Sequence, residues 1–430
     1  MIETIQNIER TKAPKIIDAV DLDLKLKPYE KFTLNNGVEV YTINAGAEEV
    51  MAIEWVFYAG NWQEDKPLVA ATTNFLLKNG TRRMNAFQIN EHFDYYGSYL
   101  NRSCYNETTS MSLHCLSKHI GELLPVVREL LTDSVMPEDE LAIYQQNMKQ
   151  RLRVSLKKNE FVAGRLIDAY LFGEQHPYGK YSKEEDFDAL NVDELRDFYS
   201  RYYKNGKWVM FVAGRLPSNI ESLLNTYFGD LPNNPIPEKQ IISSPASEKK
   251  FRVTNDEHGV QGSIRIARPF PNRHHPDFLK VQVLNSLFGG FFGSRLMSNI
   301  REDKGYTYGI HSYLQNHIHE SAWMISTEVG KEVSEAAIVE IYKEMKDLRE
   351  ELVDEEELSL VRNYMMGSIL GDLDGPFHII ARWKNIILNG LDGSYFDRSI
   401  QTIKTINAEE LRELANKYLV EDNFYELVVV

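Results

Sequence analysis

The chain has 430 residues with a formal net charge of −15, and 43% of its residues are apolar. At roughly 150 residues per domain, this length predicts two to four domains with well-filled cores. A nucleic-acid backbone is bound by clustered Lys and Arg, so the acidic balance argues against nucleic acid as a partner. It is compatible with a cationic peptide partner, although most acidic proteins are acidic only for solubility.

The cysteine content and the hydropathy indicate a cytoplasmic protein. Two cysteines, Cys104 and Cys115, are too few for a disulfide framework, so we interpret both as free thiols of a reducing compartment. The N-terminal stretch MIETIQNIERTKAPKIIDAV lacks a basic head followed by an apolar core, so no secretory signal is expected. No uninterrupted apolar run approaches about 18 residues, so no membrane partner is expected either.

Strands open the first half of the chain. The stretch KFTLNNGVEVYTI contains Asn36-Gly37, a strong signal for a β-hairpin turn, and VMAIEWVFY alternates in the manner of a strand. The apolar spacing then predicts, in chain order, helices around 68–79 and 86–96, a strand pair near 98–115, helices at 118–134, 137–158 and 192–203, and a closing strand at 207–214.

The second half of the chain repeats the first. NVDELRDFYSRYYKNGKWVMFVAG (191–214) aligns with NAEELRELANKYLVEDNFYELVVV (407–430) at an offset of 216 residues. MPEDELAIYQQNMKQRL (136–152) aligns with VDEEELSLVRNYMMGSI (353–369) at an offset of 217. A third match joins the strand VMAIEWVFYAG to VQGSIRIARPF. Three matches in the same order at a nearly constant offset indicate two homologous halves.

The order of the elements predicts an α+β fold for each half. We expect a mostly antiparallel sheet with helices packed on one face. We assign residues 1–230 to the N-terminal half and 250–430 to the C-terminal half. The stretch between them, 231–249, is rich in Pro and Ser without periodicity, so it is predicted to be a linker.

The predicted helix in LVAATTNFLLKNGT (68–81) has a small polar group in its middle. With the duplication and the order of elements, this stretch resembles the insulinase/pitrilysin family of zinc peptidases, which includes mitochondrial processing peptidase and the core subunits of the respiratory bc1 complex. Active members carry H-x-x-E-H in this helix, where two histidines bind zinc and the glutamate serves as base. Alignment on Gly80-Thr81 places these positions on Ala71, Asn74 and Phe75. Alanine and phenylalanine have no donor atom, and asparagine is not basic.

The third zinc ligand that the resemblance implies is missing as well. It is a glutamate on a later helix, and the corresponding stretch between Asn147 and Arg151 has no carboxylate. Because all three ligands are absent together, we expect no metal and no cofactor in this chain. Zinc is expected only in a partner subunit.

A second metal site is not expected elsewhere. His317 and His319 alternate on a probable strand beside Glu320, but no matched glutamate base stands at helical spacing. We interpret this stretch as a solvated strand.

The stretch NSLFGGFFGSRLMSNIREDKGYTYGIHSYL (285–314) predicts a helix, a Gly break, a second helix and a strand. Arg301 and Tyr308 stand seven residues apart across Gly305. This spacing resembles the R-x6-Y pattern in the non-zinc half or subunit of the family, where the pair faces the zinc across a closed chamber. There Arg and Tyr donate hydrogen bonds to the scissile carbonyl, and losing one such oxyanion donor typically costs on the order of 10²–10³ in kcat. The alternative interpretation is a purely structural segment.

The glycines Gly289, Gly290 and Gly293 occupy the place of a longer glycine-rich, substrate-touching loop in the non-catalytic subunit of the processing peptidase. They are predicted either to contact the peptide substrate or to break the helix between core aromatics. The Gly spacing and the Lys-Ser/Thr of a phosphate-binding P-loop are absent.

Two functions follow from the resemblance. In the first, the chain is the non-catalytic subunit of a heterodimeric zinc peptidase; it forms half of a peptide chamber and supplies Arg301 and Tyr308 in trans to a homologous zinc-bearing partner. In the second, it is a peptide-binding or scaffold protein without a hydrolytic role. In the first, the resemblance implies that an extended peptide adds to a sheet edge in the chamber, so recognition is mainly through the peptide backbone.

Overall fold

A computed structural model describes residues 11, 13 and 17–430. Most of the first 20 residues, in which no secretory signal is expected, lie outside the described part of the chain. The strands of the first half are β1 (Glu30–Thr33), β2 (Glu39–Asn44), β3 (Val50–Phe57), β4 (Tyr99–Cys104), β5 (Thr109–Leu116) and β6 (Trp208–Gly214). They form one sheet in the order β1-β2-β6-β3-β5-β4. The predicted hairpin turn joins β1 and β2, with Gly37 at φ 85° and the Leu34 amide donating to the Val38 carbonyl at 2.9 Å.

The helices of the first half pack on one face of this sheet. They are α1 (Val69–Leu76), α2 (Ala86–Tyr95), α3 (Ile120–Asp133), α4 (Glu138–Ser155), α5 (Asn159–Phe172), α6 (Glu184–Asp188), α7 (Val192–Phe198) and α8 (Ile220–Phe228). Successive side chains of a strand point to opposite faces. On β3, Met51, Ile53 and Trp55 therefore pack together into the core under these helices. Helix α5 is the exception to this arrangement, because it leaves the sheet of its own half.

The second half has a five-stranded sheet and six helices. Its strands are β7 (Lys250–Val253), β8 (Gln261–Phe270), β9 (Thr307–Asn316), β10 (Ser321–Gly330) and β11 (Tyr425–Val429), in the order β7-β11-β8-β10-β9. Its helices are α9 (Phe278–Asn285), α10 (Ser334–Glu350), α11 (Glu355–Gly371), α12 (Gly375–Leu388), α13 (Gly393–Thr405) and α14 (Ala408–Tyr418).

The duplication is visible strand by strand. The order β2-β6-β3-β5-β4 of the first sheet corresponds to β7-β11-β8-β10-β9 of the second. In each sheet the first of these pairings is parallel and the other three are antiparallel. Even the helix caps repeat: the side chains of Asn191 and Asn407 accept from the amides of Glu194 and Glu410 at the starts of α7 and α14. The predicted fold class of two homologous α+β halves is confirmed.

The two halves exchange one helix each, which the sequence did not indicate. Helix α5 of the first half packs on β8 and β11 of the second sheet, where Ile167 and Leu171 share a core with Leu427. Helix α12 of the second half packs on β2 and β6 of the first sheet. The Nζ atom of Lys384 on α12 also lies 2.7 Å from a carboxylate oxygen of Glu54 on β3. The exchange joins the halves through apolar cores rather than through the linker alone.

The proposed linker, 231–249, contains neither helix nor strand. The hydrogen bonds that hold it include one from the Trp62 indole to the Lys239 carbonyl at 3.2 Å and one from the Ser244 amide to the Phe172 carbonyl at 2.9 Å. Within the described part of the chain, every helix is too short or too polar to cross a membrane.

Candidate functional site

Helix α1 carries the three positions that would hold the zinc motif. Ala71 is half-buried, Asn74 is 3% exposed and Phe75 is 38% exposed. The helix begins after Leu68, whose φ of 72° is unusual for a residue with a branched side chain. Its first turn is held by the buried carboxylate of Glu64, which accepts from the Ala70 amide at 3.0 Å.

An ion pair stabilises that carboxylate at the helix N-terminus. Burial raises the pKa of Glu64, and the ammonium of Lys180, 2.7 Å away, opposes this shift. A negative charge at a helix N-terminus is favourable, because the unpaired amides there carry partial positive charge. The motif helix is therefore firmly positioned although it has no metal ligands.

The side chain of Phe75 fills the place that the resemblance assigns to a histidine ligand. Its ring lies 4.7 Å from the ring of Tyr144 on α4, and the guanidinium of Arg102 on β4 lies 5.1 Å from the Phe75 ring centroid. Arg102 also donates to the Phe75 carbonyl and, at 3.3 Å, to the Asn79 side chain. Burial lowers the pKa of Arg102 to about 10, so the guanidinium remains charged at neutral pH. A fixed cation thus stands beside the position where zinc would need a ligand.

Asn74 stands at the position of the catalytic base, but it is tied into the core. The hydroxyl of Tyr203 donates to Asn74 Oδ1 at 3.1 Å. Burial raises the pKa of Tyr203, which keeps this hydroxyl protonated as a donor. This hydrogen bond satisfies the buried amide oxygen of Asn74, and an amide cannot act as the base that takes a proton from the attacking water.

The stretch expected to hold the third ligand also lacks metal-binding chemistry. Asn147, Gln150 and Arg151 are exposed on α4, and Tyr144 turns its ring to Phe75. Among residues 11, 13 and 17–430, no three His, Cys, Asp or Glu side chains lie close enough together to hold a metal ion.

The predicted donors Arg301 and Tyr308 lie on the surface of the second half. Arg301 belongs to the π-helical turn Met297–Asp303, and its guanidinium lies 4.5 Å from the ring centroid of Phe292. Tyr308, on β9, is 97% exposed. Within the described chain, neither side chain makes a hydrogen bond or ion pair, and neither has a ring contact with α1. The two predicted sites are therefore separate in this chain.

The predicted glycine segment packs closely against its neighbours. A Cβ atom on Gly289 would lie 2.7 Å from the Cβ of Ser312 on β9, and one on Gly293 would lie 2.8 Å from the ring of Phe291. These contacts require glycine for packing. Gly290 also lines a cavity of about 350 Å³ together with Tyr313. Contact with a substrate remains a prediction for all three glycines.

The region around His317 and His319 differs from the predicted solvated strand. Both residues lie in the turn after β9, where the His317 ring stacks on Tyr178 and the His319 ring on Trp62, each at 4.0 Å. Tyr178 and Trp62 belong to the first half, so the turn packs across the boundary. Only long-range contacts create this arrangement, so the local sequence pattern gave no sign of it.

Sequence reasoning also missed a cavity between the halves, which we call the boundary cavity. It has a volume of about 580 Å³ and lies between β3, the β4–β5 turn and α12. Five asparagines contribute to its lining: Asn61, Asn106, Asn316, Asn385 and Asn389. Amide side chains offer both donors and acceptors, which suits a ligand with a peptide backbone.

Comparison with known proteins is consistent with this geometry. The family described as "Peptidase M16 inactive domain" matches residues 189–365. An "uncharacterized zinc protease YmxG" of Bacillus subtilis is 23% identical over 409 residues, covering 93% of this chain and 98% of that protein. A "non-peptidase homolog YmxG" of Helicobacter pylori is 22% identical over 323 residues, covering 74% of each chain.

Solved structures share the fold. The peptidase M16 inactive domain from Pseudomonas fluorescens has a TM-score of 0.84 at 23% identity, with 93% of this chain and 98% of that chain covered. The periplasmic protease PqqL from Escherichia coli has a TM-score of 0.75 at 15% identity; the match covers 95% of this chain but 46% of that one. The present chain thus corresponds in extent to about half of that protease.

Proposed function

Because the chain is a peptidase M16 homologue of the inactive-domain type, we propose that it is the non-catalytic subunit of a two-chain zinc peptidase. The partner is a homologous chain of similar length with an intact H-x-x-E-H. Together the two chains enclose a peptide chamber, and this chain contributes Arg301 and Tyr308 to chemistry at the partner's zinc.

One observation carries the proposal. The positions of the zinc motif are filled by packed, non-ligating side chains, while Tyr308 is 97% exposed and unbonded within the described residues. Among the described residues, the Tyr308 phenol has no partner and the Arg301 guanidinium contacts the Phe292 ring, so both can meet groups from a second chain. A guanidinium offers several N–H donors and a phenol one O–H donor, so both side chains can donate hydrogen bonds to a carbonyl oxygen.

The chemistry needs donors of this kind. Water attack on an amide carbonyl places negative charge on the carbonyl oxygen, and preplaced donors stabilise that charge most in a chamber that excludes water. The zinc of the partner would supply the attacking water. This chain matches 46% of PqqL, so two units of this fold would together have about the length of PqqL. This supports a two-chain arrangement.

The test is reconstitution with the zinc-bearing homologue. We expect neither chain alone to cleave a fluorogenic peptide efficiently and the mixture to do so. Arg301→Ala or Tyr308→Phe in this chain should lower kcat of the mixture on the order of 10²–10³-fold. Matched controls are Arg82→Ala and Tyr95→Phe, whose side chains are exposed in the first half.

A scaffold or peptide-binding protein without hydrolytic role is the second candidate. It is favoured by the relative from Helicobacter pylori named a non-peptidase homolog. In that case the mixture would cleave no faster than its zinc-bearing member, and the Arg301 and Tyr308 variants would change nothing. Such a result would refute the subunit proposal.

A further inference from the structure

A second cavity in the C-terminal half, which we call the arginine cavity, has a polar lining that the proposed function does not use. It has a volume of about 390 Å³ and lies between α12, α13 and the turn that follows β8. Its lining includes Arg273, Asp372, Arg382 and Tyr395. This volume falls in the range of small-ligand pockets, about 300–1,000 Å³.

The charges of the arginine cavity do not cancel. Arg382 pairs with Asp372, with 2.8 Å between Nη1 and Oδ2. Arg273 has no carboxylate partner within the described chain; its Nη1 donates to the neutral side chain of Asn385 at 2.6 Å. Two guanidiniums therefore face one carboxylate, and the cavity holds one uncompensated positive charge in a chain of net charge −15.

The side chain of Arg273 is half-buried, and part of its guanidinium is enclosed by the protein. The Nε atom of Arg273 is enclosed and has no hydrogen-bond partner among the described residues. Tyr395 is 8% exposed, and its hydroxyl, beside Arg273, is likewise enclosed without a hydrogen bond of normal geometry. Burial lowers the pKa of Arg273 and of Arg382, since each charged form loses hydration. Buried donors without acceptors are costly, so such a site gains when an acceptor enters.

We infer that the arginine cavity binds the C-terminal carboxylate of a peptide. A guanidinium matches the planar, bidentate geometry of a carboxylate. A dianionic phosphate suits the cavity less well, because Asp372 lines it and only one positive charge is uncompensated. The choice of a peptide ligand rests on the proposed function; the carboxylate chemistry rests on the cavity itself.

The arginine cavity adjoins the boundary cavity, so a carboxylate could reach it from there. Arg273, Ala381 and Asn385 line both. A peptide lying along the asparagines of the boundary cavity would thus meet Arg273 where the two cavities join. The arginine cavity would anchor the C-terminal end of the peptide, apart from the chemistry at the partner's zinc.

The test uses the full chain alone and calorimetric titration with three probes. These are an N-acetylated tetra-alanine peptide with a free carboxylate, the same peptide with a C-terminal amide, and inorganic phosphate. We expect the free acid to bind at least about tenfold more tightly than the amide, since a charge-assisted hydrogen bond is worth more than the 1.4 kcal/mol of one decade. Phosphate should bind more weakly than the free acid.

Two substitutions of opposite expected sign separate binding from general damage. Arg273→Gln should abolish the preference for the acid, whereas Asp372→Asn should strengthen binding of the acid several-fold by removing a repelling charge. Arg82→Gln, an exposed arginine in the other half, should leave both affinities unchanged.

Equal binding of acid and amide, tighter binding of phosphate, or weaker binding by Asp372→Asn would each overturn the inference. These outcomes are independent of the reconstitution assay, because no partner chain is present. A mixture without peptidase activity would refute the subunit proposal and leave carboxylate binding standing, and the reverse also holds.

Discussion

The packing around Phe75 predicts that the two histidines of the motif cannot by themselves restore a zinc site. In the variant Ala71→His/Phe75→His, the guanidinium of Arg102 remains beside the new imidazole, 5.1 Å from the present Phe75 ring centroid. A divalent cation at that distance from a unit positive charge is repelled by about 6 kcal/mol at an effective dielectric constant of 20. This energy corresponds to about four orders of magnitude in affinity.

The matched variant adds Arg102→Gln, which removes the charge and retains hydrogen-bonding groups near the Phe75 carbonyl. We expect zinc to bind this triple variant up to about four orders of magnitude more tightly than the double variant. Zinc sites of peptidases use three protein ligands, so even the triple variant should bind weakly. The assay is competition with a chromophoric zinc chelator, with metal analysis after dialysis and thermal melts to confirm folding.

Equal zinc affinity in the two variants would refute the electrostatic reasoning. Stoichiometric zinc in the double variant after dialysis would refute it more directly, because it would mean that Arg102 moves aside at little cost. The untouched chain serves as the baseline for adventitious metal.

Four further predictions concern stability. Tyr203→Phe leaves the buried Oδ1 of Asn74 without its donor and should lower the free energy of unfolding by about 1–3 kcal/mol in denaturant titrations. Gly289→Ala should destabilise by about 1–3 kcal/mol, because its Cβ would lie 2.7 Å from a side-chain carbon on β9. Burial raises the pKa of Asp168 from 3.8 to about 7, so its contribution to stability is lost as the pH rises through 7; Asp168→Asn should therefore raise the melting temperature more at pH 8 than at pH 5. Burial lowers the pKa of His317 below 6.5, so its contribution is lost as the pH falls below that value, and His317→Gln should flatten the acid side of the stability profile.

Local signals predicted those parts of the fold that local chemistry determines. Asn36-Gly37 specified a hairpin turn because a turn of this kind needs positive φ, and Gly37 has φ 85°. The residues Asn191 and Asn407, which cap α7 and α14, are separated by the same offset as the duplicated segments. Such a cap can be predicted locally because it depends only on the amides of the next helical turn. These features require no knowledge of the partner surfaces.

The exchanged helix α5 was not predicted from the sequence, because it is packed on more than one side. The break at residues 156–158 is short, and the sequence NEFVAGRLIDAYLF has apolar residues around much of its circumference. Such a helix lacks the polar face that distinguishes a surface helix, because it lies between its own half and the sheet of the other. Its location depends on contacts more than a hundred residues away in sequence, such as Ile167 with Leu427.

The candidate site was likewise predictable only where local sequence determines it. The motif positions Ala71, Asn74 and Phe75 could be located from the sequence because the recognisable pair Gly80-Thr81 follows α1. The side chains that surround these positions could not be predicted from the sequence. Arg102 comes from an edge strand and Tyr144 from another helix. Likewise, the spacing of Arg273 and Arg382 has no periodicity that suggests a common cavity.

The side chains at the motif positions provide contacts between α1 and α4 that do not depend on shared metal ligands. A bound zinc would hold α1 and α4 together through shared ligands. Here Phe75 and Tyr144 make that connection by ring packing, and the Asn79 side chain donates to Glu140 at the start of α4 at 2.7 Å. The Glu64–Lys180 ion pair holds the opposite end of α1. Both ends of the helix are therefore fixed by contacts unrelated to metal binding, which is what the wall of the proposed chamber would need to remain rigid.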